Sequence, residues 1–270
     1  GTALRFDQVQ MAAFEVFMLA RDGAEDDYTP EVLAQAQAWF EAADHSQRQR
    51  LLAAIMSGLP GAYDRYDIDG LRDVLSAWEG FTAENLRASF ATFLRAVVPA
   101  AEDLGIRLCV HPDDPPRPLL GLPRVVSNAE DIAFVLGAAD SPANGLTLCA
   151  GSLGANLAND VPAIATRFAE RIHFAHLRNV AKEPDGSFQE AEHLGGDTDM
   201  PALIAVLLRE EARRRAEGRG DAAIPFRPDH GHELGPDLGR QTHPGYPLVG
   251  RLRGLAELRG VIAGLRHAGL

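Results

Sequence analysis

The sequence predicts an α/β protein in which a helical N-terminal part is followed by parallel βα units. Between residues 6 and 105, apolar residues recur at three- and four-residue spacing, which is the period of an amphipathic helix. From residue 106 onward, short apolar runs that end in polar residues alternate with helical patterns. That alternation is typical of parallel strands joined by crossover helices.

The first helices are predicted from spacing and from a start signal. The stretches FDQVQMAAFEVFMLA (6–20) and EVLAQAQAWFEAA (31–43) both carry the helical spacing. The second should begin at Thr29 and Pro30, because a capping hydroxyl precedes a proline in the first turn. The sequence predicts no strand before residue 106.

A longer helix is predicted over residues 82–105, where Pro99 should kink or divide it because proline lacks an amide hydrogen. The helical block is larger than a barrel helix needs. We therefore expect residues 1–90 to form a helical segment, inserted over a barrel mouth or at a subunit interface, and residues 91–270 to carry the βα units.

Four strands are predicted in the second part, at 106–111, 145–151, 171–179 and 223–230. A capping box from Ser127 to Glu130 should open one intervening helix. Asp160 and Asp199 each precede a first turn that contains proline, so they should open two more. The charged run at 209–220 is predicted to be a solvated helix end and loop.

The strand count leaves two architectures open. A last helix is predicted over residues 248–269, and four strands cannot close an eight-stranded barrel. Either the sheet is open, or strands that precede Gly1 complete it. Because the first residue is glycine rather than methionine, we expect the numbering to begin inside a longer protein.

Composition narrows the class of function. The 270 residues are 46% hydrophobic, enough for one large domain or two ordinary ones, and the formal net charge is −12. This charge argues against a nucleic-acid or anionic-membrane partner. The stretch GTALRFDQ (1–8) is not expected to be a signal peptide, and no apolar run approaches the roughly 18 residues of a membrane span. Two cysteines cannot build a disulfide framework, so a cytoplasmic protein is expected.

Metal-capable side chains stand at the carboxyl end of each predicted strand. They are His111, Cys149, His176 and Asp229. Ligands of parallel α/β folds bind at that edge, and this mixed set suits Zn²⁺, Fe²⁺, Co²⁺ or Mn²⁺ better than Ca²⁺ or Mg²⁺. Taken singly, a strand-end histidine is more often a polar cap and a cysteine more often core. Cys109 lies two residues deeper than His111 and is predicted to be core.

The loop after the last strand is the densest polar stretch of the chain. His230 and His232 follow Asp229 directly, and Tyr246 comes just before the final helix. A histidine and a tyrosine beside a metal are natural proton carriers. The alternative for Tyr246 is an aromatic residue that anchors the helix. His232 could be a surface residue or a hydrogen-bond partner of the metal ligands. For His243 we also expect one of these two roles rather than a catalytic one.

Arginines are concentrated in the same loops on an otherwise acidic chain. They are Arg117, Arg124, Arg178 and Arg227. Any one of them could be a solvent-exposed ion pair. Together with a divalent cation they form a site for a carboxylate, which predicts a small anionic substrate.

Long stretches of the sequence resemble one enzyme family. They are ALRFDQVQMAAFE (3–15), VHPDDPPRPLLGLPRVVS (110–127), NGLTLCAGSLG (144–154), IHFAHLRN (172–179), EAEHLGGDTDM (190–200), RPDHGH (227–232) and PGYPLVGRLRGLAELRGV (244–261). In this order they resemble the mannonate dehydratases of hexuronate catabolism. The resemblance runs from about residue 3 to the C-terminus.

The resemblance implies a (β/α)₈ TIM barrel of the xylose-isomerase-like kind, with its first βα units absent from this chain. It also implies Mn²⁺ or Fe²⁺ as cofactor and D-mannonate as substrate, with 2-keto-3-deoxy-D-gluconate and water as products. His111, Cys149, His176 and Asp229 would be the metal ligands, and His230 and Tyr246 the acid–base pair. We expect a homo-oligomer, as a dimer.

Four further residues are assigned to the substrate by their place in these loops. They are Arg178, Arg227, Asp113 and Arg117. Asp113 and Asp114 can accept sugar hydroxyls or orient a ligand imidazole, and Arg117 can pair with these acids or with substrate. The prolines around them should stiffen the loop.

Three other functions remain open at this point. A metal-dependent sugar isomerase or epimerase of the same barrel superfamily would share the fold and the metal. A barrel hydrolase or nuclease would usually need several metals and a basic groove, which the sequence does not support. A chain that only binds sugar acids or metal is the non-enzymatic alternative.

Overall fold

The computed structural model describes residues 2–58, 66–240 and 242–270 and contains two small sheets. The strands are β1 (Arg5–Phe6), β2 (Leu108–Val110), β3 (Asn144–Cys149), β4 (Ile172–His176), β5 (Val180–Lys182), β6 (Phe188–Glu190) and β7 (Phe226–Arg227). β2, β3, β4 and β7 form one parallel sheet in that order. The predicted α/β class with a parallel sheet is therefore confirmed. Within the described ranges the sheet does not close into a barrel.

Helices surround the parallel sheet and form most of the N-terminal part. They are α1 (Gln8–Ala13), α2 (Pro30–Ala42), α3 (His45–Gly58), α4 (Ile68–Ser76), α5 (Ala83–Asp103), α6 (Ala129–Ala138), α7 (Ala150–Gly154), α8 (Val161–Phe168), α9 (Met200–Ala216) and α10 (Leu248–His267). α1 continues as a π-helical turn over Phe14–Met18. Among the described helices, none combines the length and the apolar character that a bilayer crossing demands.

The second sheet was not predicted from the sequence. β5 and β6 form an antiparallel hairpin, and β1 pairs antiparallel with β6. The ring of Phe6 stacks on that of Phe188 with centroids 5.4 Å apart. The expectation of no strand before residue 106 is therefore wrong for β1, because a two-residue strand is too short to show an alternating pattern. The hairpin lies over residues 180–190, where the sequence analysis predicted no strand.

Helix starts follow the capping chemistry with one change. Asp160 and Asp199 each accept a backbone hydrogen bond at the start of α8 and α9, as predicted. For α6 the cap is Asn128 rather than Ser127, since the Asn128 side chain accepts from the amides of the first turn. Pro99 does not divide the helix predicted over residues 82–105, since α5 runs from Ala83 to Asp103.

The parallel sheet is held in a continuous apolar core. Every residue of β3 is buried, and Leu146 and Leu148 are fully enclosed. Residues from α5, α6, α8 and α9 pack in the same core cluster, so these helices anchor the sheet. The strands therefore present their carboxyl ends on a rigid support.

The helical part is tied to the loop after β2 by one buried carboxylate. Glu15, in the π-helical turn, accepts hydrogen bonds from the Leu120 amide (3.0 Å) and the Tyr28 hydroxyl (2.9 Å). Arg21 neutralises it with a 2.6 Å ion pair. The loop that begins at His111 is therefore fixed to the N-terminal helices. The proposed division between residues 90 and 91 falls inside α5 and stays a prediction.

The charged run at 209–220 is not simply solvated, and that prediction is corrected. Arg214 is only 1% exposed. Its guanidinium donates to Glu210 (2.6 Å) and to the carbonyls of Ala169 (3.1 Å) and Ile172 (2.8 Å). Because Ile172 begins β4, this arginine joins α9 to the strand that ends in His176.

Replacing Arg214 by leucine should lower the free energy of unfolding by about 3 kcal/mol, because buried Glu210 and several carbonyls lose a charged donor. Urea denaturation followed by circular dichroism measures the change. The matched control is Arg215→Leu on the same helix, where the guanidinium pairs with Glu211 and its side chain is 52% exposed. Its loss should cost less than about 0.5 kcal/mol. Equal destabilisation by the two changes would contradict the role given to Arg214.

Candidate metal centre

Three of the four predicted ligands meet at the carboxyl ends of neighbouring strands. Cys149 and His176 end β3 and β4 and are directly paired in the parallel register. His111 follows β2 and turns Nε2 to within 3.2 Å of Nδ1 of His176. One ligand atom from each of the three residues lies within 4.8 Å of the others. Strand register alone thus brings together side chains that are far apart in the sequence.

Asp229 adds a carboxylate to this cluster. It follows β7, is 3% exposed, and places Oδ2 3.6 Å from Nδ1 of His176. Its φ of 62° is in the left-handed region, which is uncommon for a residue with a side chain and often marks a functional site. Arg251 donates to the Asp229 carbonyl (2.8 Å) and Arg227 pairs with Oδ1 (2.8 Å). These contacts hold the strained turn in place.

The donor set fits a divalent transition metal. Metal–nitrogen and metal–oxygen bonds of about 2.0–2.2 Å place neighbouring donors roughly 3–4 Å apart, and the separations of 3.2 and 3.6 Å fall in that range. Two imidazoles, one sulfur and one carboxylate are a borderline set that suits Mn²⁺, Fe²⁺ or Zn²⁺. Ser152 orients the sulfur of Cys149 by donating from its amide (3.4 Å) and its hydroxyl (3.1 Å).

His230 and Tyr246, the predicted acid–base pair, lie side by side next to Asp229. Their rings pack edge to face with centroids 4.9 Å apart. The Tyr246 hydroxyl lies 3.5 Å from Oδ1 of Asp229. Burial and then the Asp229 charge raise the pKa of Tyr246 above its ordinary value, which favours the phenol form that can give a proton.

A buried carboxylate that sequence reasoning did not select stands behind this pair. Glu190, the last residue of β6, accepts from Nδ1 of His230 at 2.6 Å. Arg178 contacts both carboxylate oxygens, at 2.6 and 2.9 Å. The only sequence signal was its position at the start of EAEHLGGDTDM, one of the stretches shared with the family.

Arg178 is the central cation of the site. It also forms an ion pair with Asp114. Burial alone would lower the pKa of Arg178, but the carboxylates of Asp114 and Glu190 raise it above its ordinary value. Burial likewise raises the pKa of Asp114, and Arg178 outweighs this so that the pKa lies below the usual range. Gly151 makes room for this side chain, since a Cβ there would come within 2.3 Å of it.

Of the predicted substrate residues, the structure brings Arg178 and Arg227 to the cluster and gives Asp113 and Arg117 other surroundings. One oxygen of Asp113 accepts from the amides of Val125 (2.9 Å) and Val126 (2.7 Å), which closes the proline-rich loop. Arg117 lines a cavity of about 540 Å³ beside the hairpin. The pocket that contains His111 does not include Arg117.

The other polar residues of these loops have separate partners. His232 lies 3.0 Å from the carbonyl of Glu190, while exposed His243 contacts the carbonyl of Pro244 at 3.0 Å. Cys109 is half-buried rather than full core, and burial raises its pKa. Neither it nor His243 belongs to the cluster of ligand atoms found among the described residues.

A cavity of about 550 Å³ opens beside His111 and is lined by both parts of the chain. Arg5 and Gln10 line it from the N-terminal part, and Asp114 and Arg124 from the loop after β2. Its size suits a small ligand, and Arg5, Arg124 and Asp114 add charged groups to a lining that is otherwise largely apolar.

Comparison with known proteins identifies the family. The model of the family "D-mannonate dehydratase (UxuA)" matches residues 1–269. The chain belongs to the D-mannonate dehydratase family. The prediction of an enzyme of this lyase family is therefore confirmed.

Curated relatives in this family are similar over nearly the whole chain. The mannonate dehydratase of Chromohalobacter salexigens is 54% identical over 268 residues, which are 99% of this chain and 68% of the relative. That of Rhizobium meliloti is 53% identical over 269 residues, 98% of this chain and 67% of the relative. The chain thus spans about two thirds of their length.

A solved structure in the family has a similar fold. The crystal structure of mannonate dehydratase from Streptococcus suis serotype 2 is 35% identical, with a TM-score of 0.63. The match covers 70% of this chain and 52% of that one.

Changing Cys149 to serine should weaken metal binding, because a thiolate binds such ions better than a hydroxyl does. A Co²⁺ titration measures this through the sulfur-to-metal charge-transfer band, which should disappear. Cys109→Ser is the matched control and should keep the band and the stoichiometry. If the band survives in the Cys149 variant and disappears in the Cys109 variant, Cys109 is the metal ligand and our assignment is wrong.

Proposed function

We propose that this family member catalyses the metal-dependent dehydration of D-mannonate to 2-keto-3-deoxy-D-gluconate and water in hexuronate (glucuronate) catabolism. The observation that carries the proposal is the convergence of His111, Cys149, His176 and Asp229 beside His230 and Tyr246. Curated relatives named mannonate dehydratase at 48–54% identity support it. So does the cavity next to His111, which Arg5 and Arg124 line with positive charge.

The reaction requires two proton transfers on neighbouring carbons. A base removes the C2 proton, the electron pair of that bond forms the C2–C3 double bond, and the C3 hydroxyl leaves as water after an acid protonates it. The resulting enol then becomes the 2-keto acid. The C2 proton is barely acidic because its removal places charge beside a carboxylate.

A divalent metal, Mn²⁺ or Fe²⁺, held by His111, Cys149, His176 and Asp229, would supply Lewis-acid stabilisation of that charge. His230 and Tyr246 divide the two proton transfers, as adjacent groups with exchangeable protons. Arg178 and Arg227 provide positive charge for the substrate carboxylate. Asp113 and Arg117 contribute through the shape of the loop after β2, given their contacts in it.

The whole enzyme would place this site in a complete (β/α)₈ barrel, with the helical segment of residues 1–90 over its mouth. The parallel order of β2, β3, β4 and β7 supports this arrangement. The likeness to the Streptococcus suis enzyme supports it too. We further propose a cytoplasmic homodimer, in keeping with a free-thiol composition and a small-molecule substrate.

Incubation of the metal-loaded protein with D-mannonate should form a 2-keto acid, which a colorimetric assay detects. Tyr246→Phe and His230→Asn should each lower kcat at least about 100-fold, since each removes one proton carrier. Metal content should stay near that of the unchanged protein. His243→Asn, a change of the exposed histidine beside Tyr246, is the control and should leave kcat unaffected.

Two outcomes would count against this scheme. Near-normal kcat in either variant would remove that residue from the proton transfers. An isomeric sugar acid formed without any 2-keto acid would favour the metal-dependent isomerase instead.

A further inference from the structure

Glu190 occupies a position that the strand pairing fixes from both sides. In the hairpin it pairs with Val180, and its amide donates to the carbonyl of Leu4 at 2.9 Å. His232 contacts its carbonyl at 3.0 Å. The residue is 4% exposed. Such a carboxylate costs free energy to bury unless strong donors surround it, so its surroundings are informative.

Arg178 fixes the orientation of this carboxylate. Nη2 and Nε of the guanidinium approach Oε1 and Oε2 at 2.6 and 2.9 Å, which is a two-point contact. Arg178 is held in turn by Asp114 and by the narrow space over Gly151. Paired contacts of this kind set direction as well as charge. The Glu190 carboxylate therefore has little freedom to rotate.

Oε1 of Glu190 also accepts a hydrogen bond from His230. Nδ1 of the imidazole lies 2.6 Å away. Because an ionised carboxylate only accepts hydrogen bonds, the proton of this contact belongs to Nδ1. The other ring nitrogen, Nε2, makes no hydrogen bond to residues 2–58, 66–240 and 242–270. The arrangement therefore selects which nitrogen is available for chemistry.

We propose that Glu190 is the positioning residue of the acid–base pair: it holds the proton of His230 on Nδ1 and leaves Nε2 to exchange a proton with the substrate. This inference rests on the proposed function, in which His230 is one of the two proton carriers. It adds a residue that acts through His230 without touching the substrate itself. Arg178 orients Glu190, and Glu190 in turn orients the imidazole of His230.

The proton balance follows directly. If His230 takes the C2 proton, Nε2 forms the new N–H bond and the C2–H electron pair stays on the substrate. If His230 instead protonates the leaving hydroxyl, the Nε2–H bond breaks and water departs. In both cases Nδ1 keeps its proton, and the Glu190 carboxylate stabilises the positive form of the ring. No further reactant is needed.

The test is Glu190→Gln, which retains the size of the side chain and removes its charge. An amide presents one oxygen where the carboxylate presented two, so the contacts with Arg178 and His230 cannot all persist. We expect kcat for D-mannonate to fall at least about 100-fold, with a change in KM below about tenfold. The matched control is Glu192→Gln on the same segment, an exposed carboxylate paired with Arg253, which should leave both constants unchanged.

A spectroscopic measurement tests the inference independently of turnover. Nitrogen-15 NMR of the Zn²⁺-loaded protein at a pH where the ring is neutral distinguishes the two tautomers, and the His230→Asn variant assigns the signals. The unchanged protein should show the proton of His230 on Nδ1, and Glu190→Gln should lose that preference.

The outcomes separate the two proposals. A proton on Nε2 of His230 in the unchanged protein, or a near-normal kcat in Glu190→Gln, overturns the role of Glu190. A proton on Nδ1 that depends on Glu190, in a protein that does not convert D-mannonate, supports the positioning and rejects only the dehydratase assignment. If Glu190→Gln fails to fold, the NMR spectrum of the unchanged protein alone still decides the tautomer.

Discussion

The alignment of parallel strand ends is the constraint on which the rest of this structure depends. The register that pairs Cys149 with His176 brings their side chains to one edge, and β2 delivers His111 beside them. A shift of one residue in any of these strands would turn its ligand to the opposite face of the sheet. The buried apolar sheet, the capped helices and the Arg214 contact to β4 therefore serve the geometry of the cluster as well as stability.

The features that were predictable from sequence are those with a local physical signal. Apolar runs that end in polar residues located the four parallel strands. The starts of α8 and α9 were located by Asp160 and Asp199, each followed by a proline in the first turn. The position of each chemical group at a strand end then predicted the cluster, because parallel strands share one functional edge. That prediction required only the direction of each strand in the sheet, and no distance between the side chains.

The features that were missed depend on contacts between distant segments. Nothing near Glu190 indicates that it meets Arg178 and His230, since this requires the register of the hairpin. Arg214 was read as solvated because its run is rich in charge, yet the carbonyls of Ala169 and Ile172 that it contacts lie more than 40 residues away. For Asp113 the sequence did not show that one carboxylate oxygen closes the loop after β2, and its role in substrate binding stays a prediction. In each case tertiary hydrogen bonds, rather than residue type, decide the environment.

The charged groups around the cluster form a connected series rather than isolated pairs. Asp114 contacts Arg178, Arg178 contacts Glu190, and Glu190 contacts His230. Its two buried members, Arg178 and Glu190, are paired with each other, so neither charge is left uncompensated. Because Asp114 belongs to the loop that begins at His111, the same series joins the acid–base pair to a ligand strand. A displacement of that loop would therefore move Arg178, and with it the carboxylate that orients His230, so the ligand geometry and the proton-transfer geometry are mechanically linked.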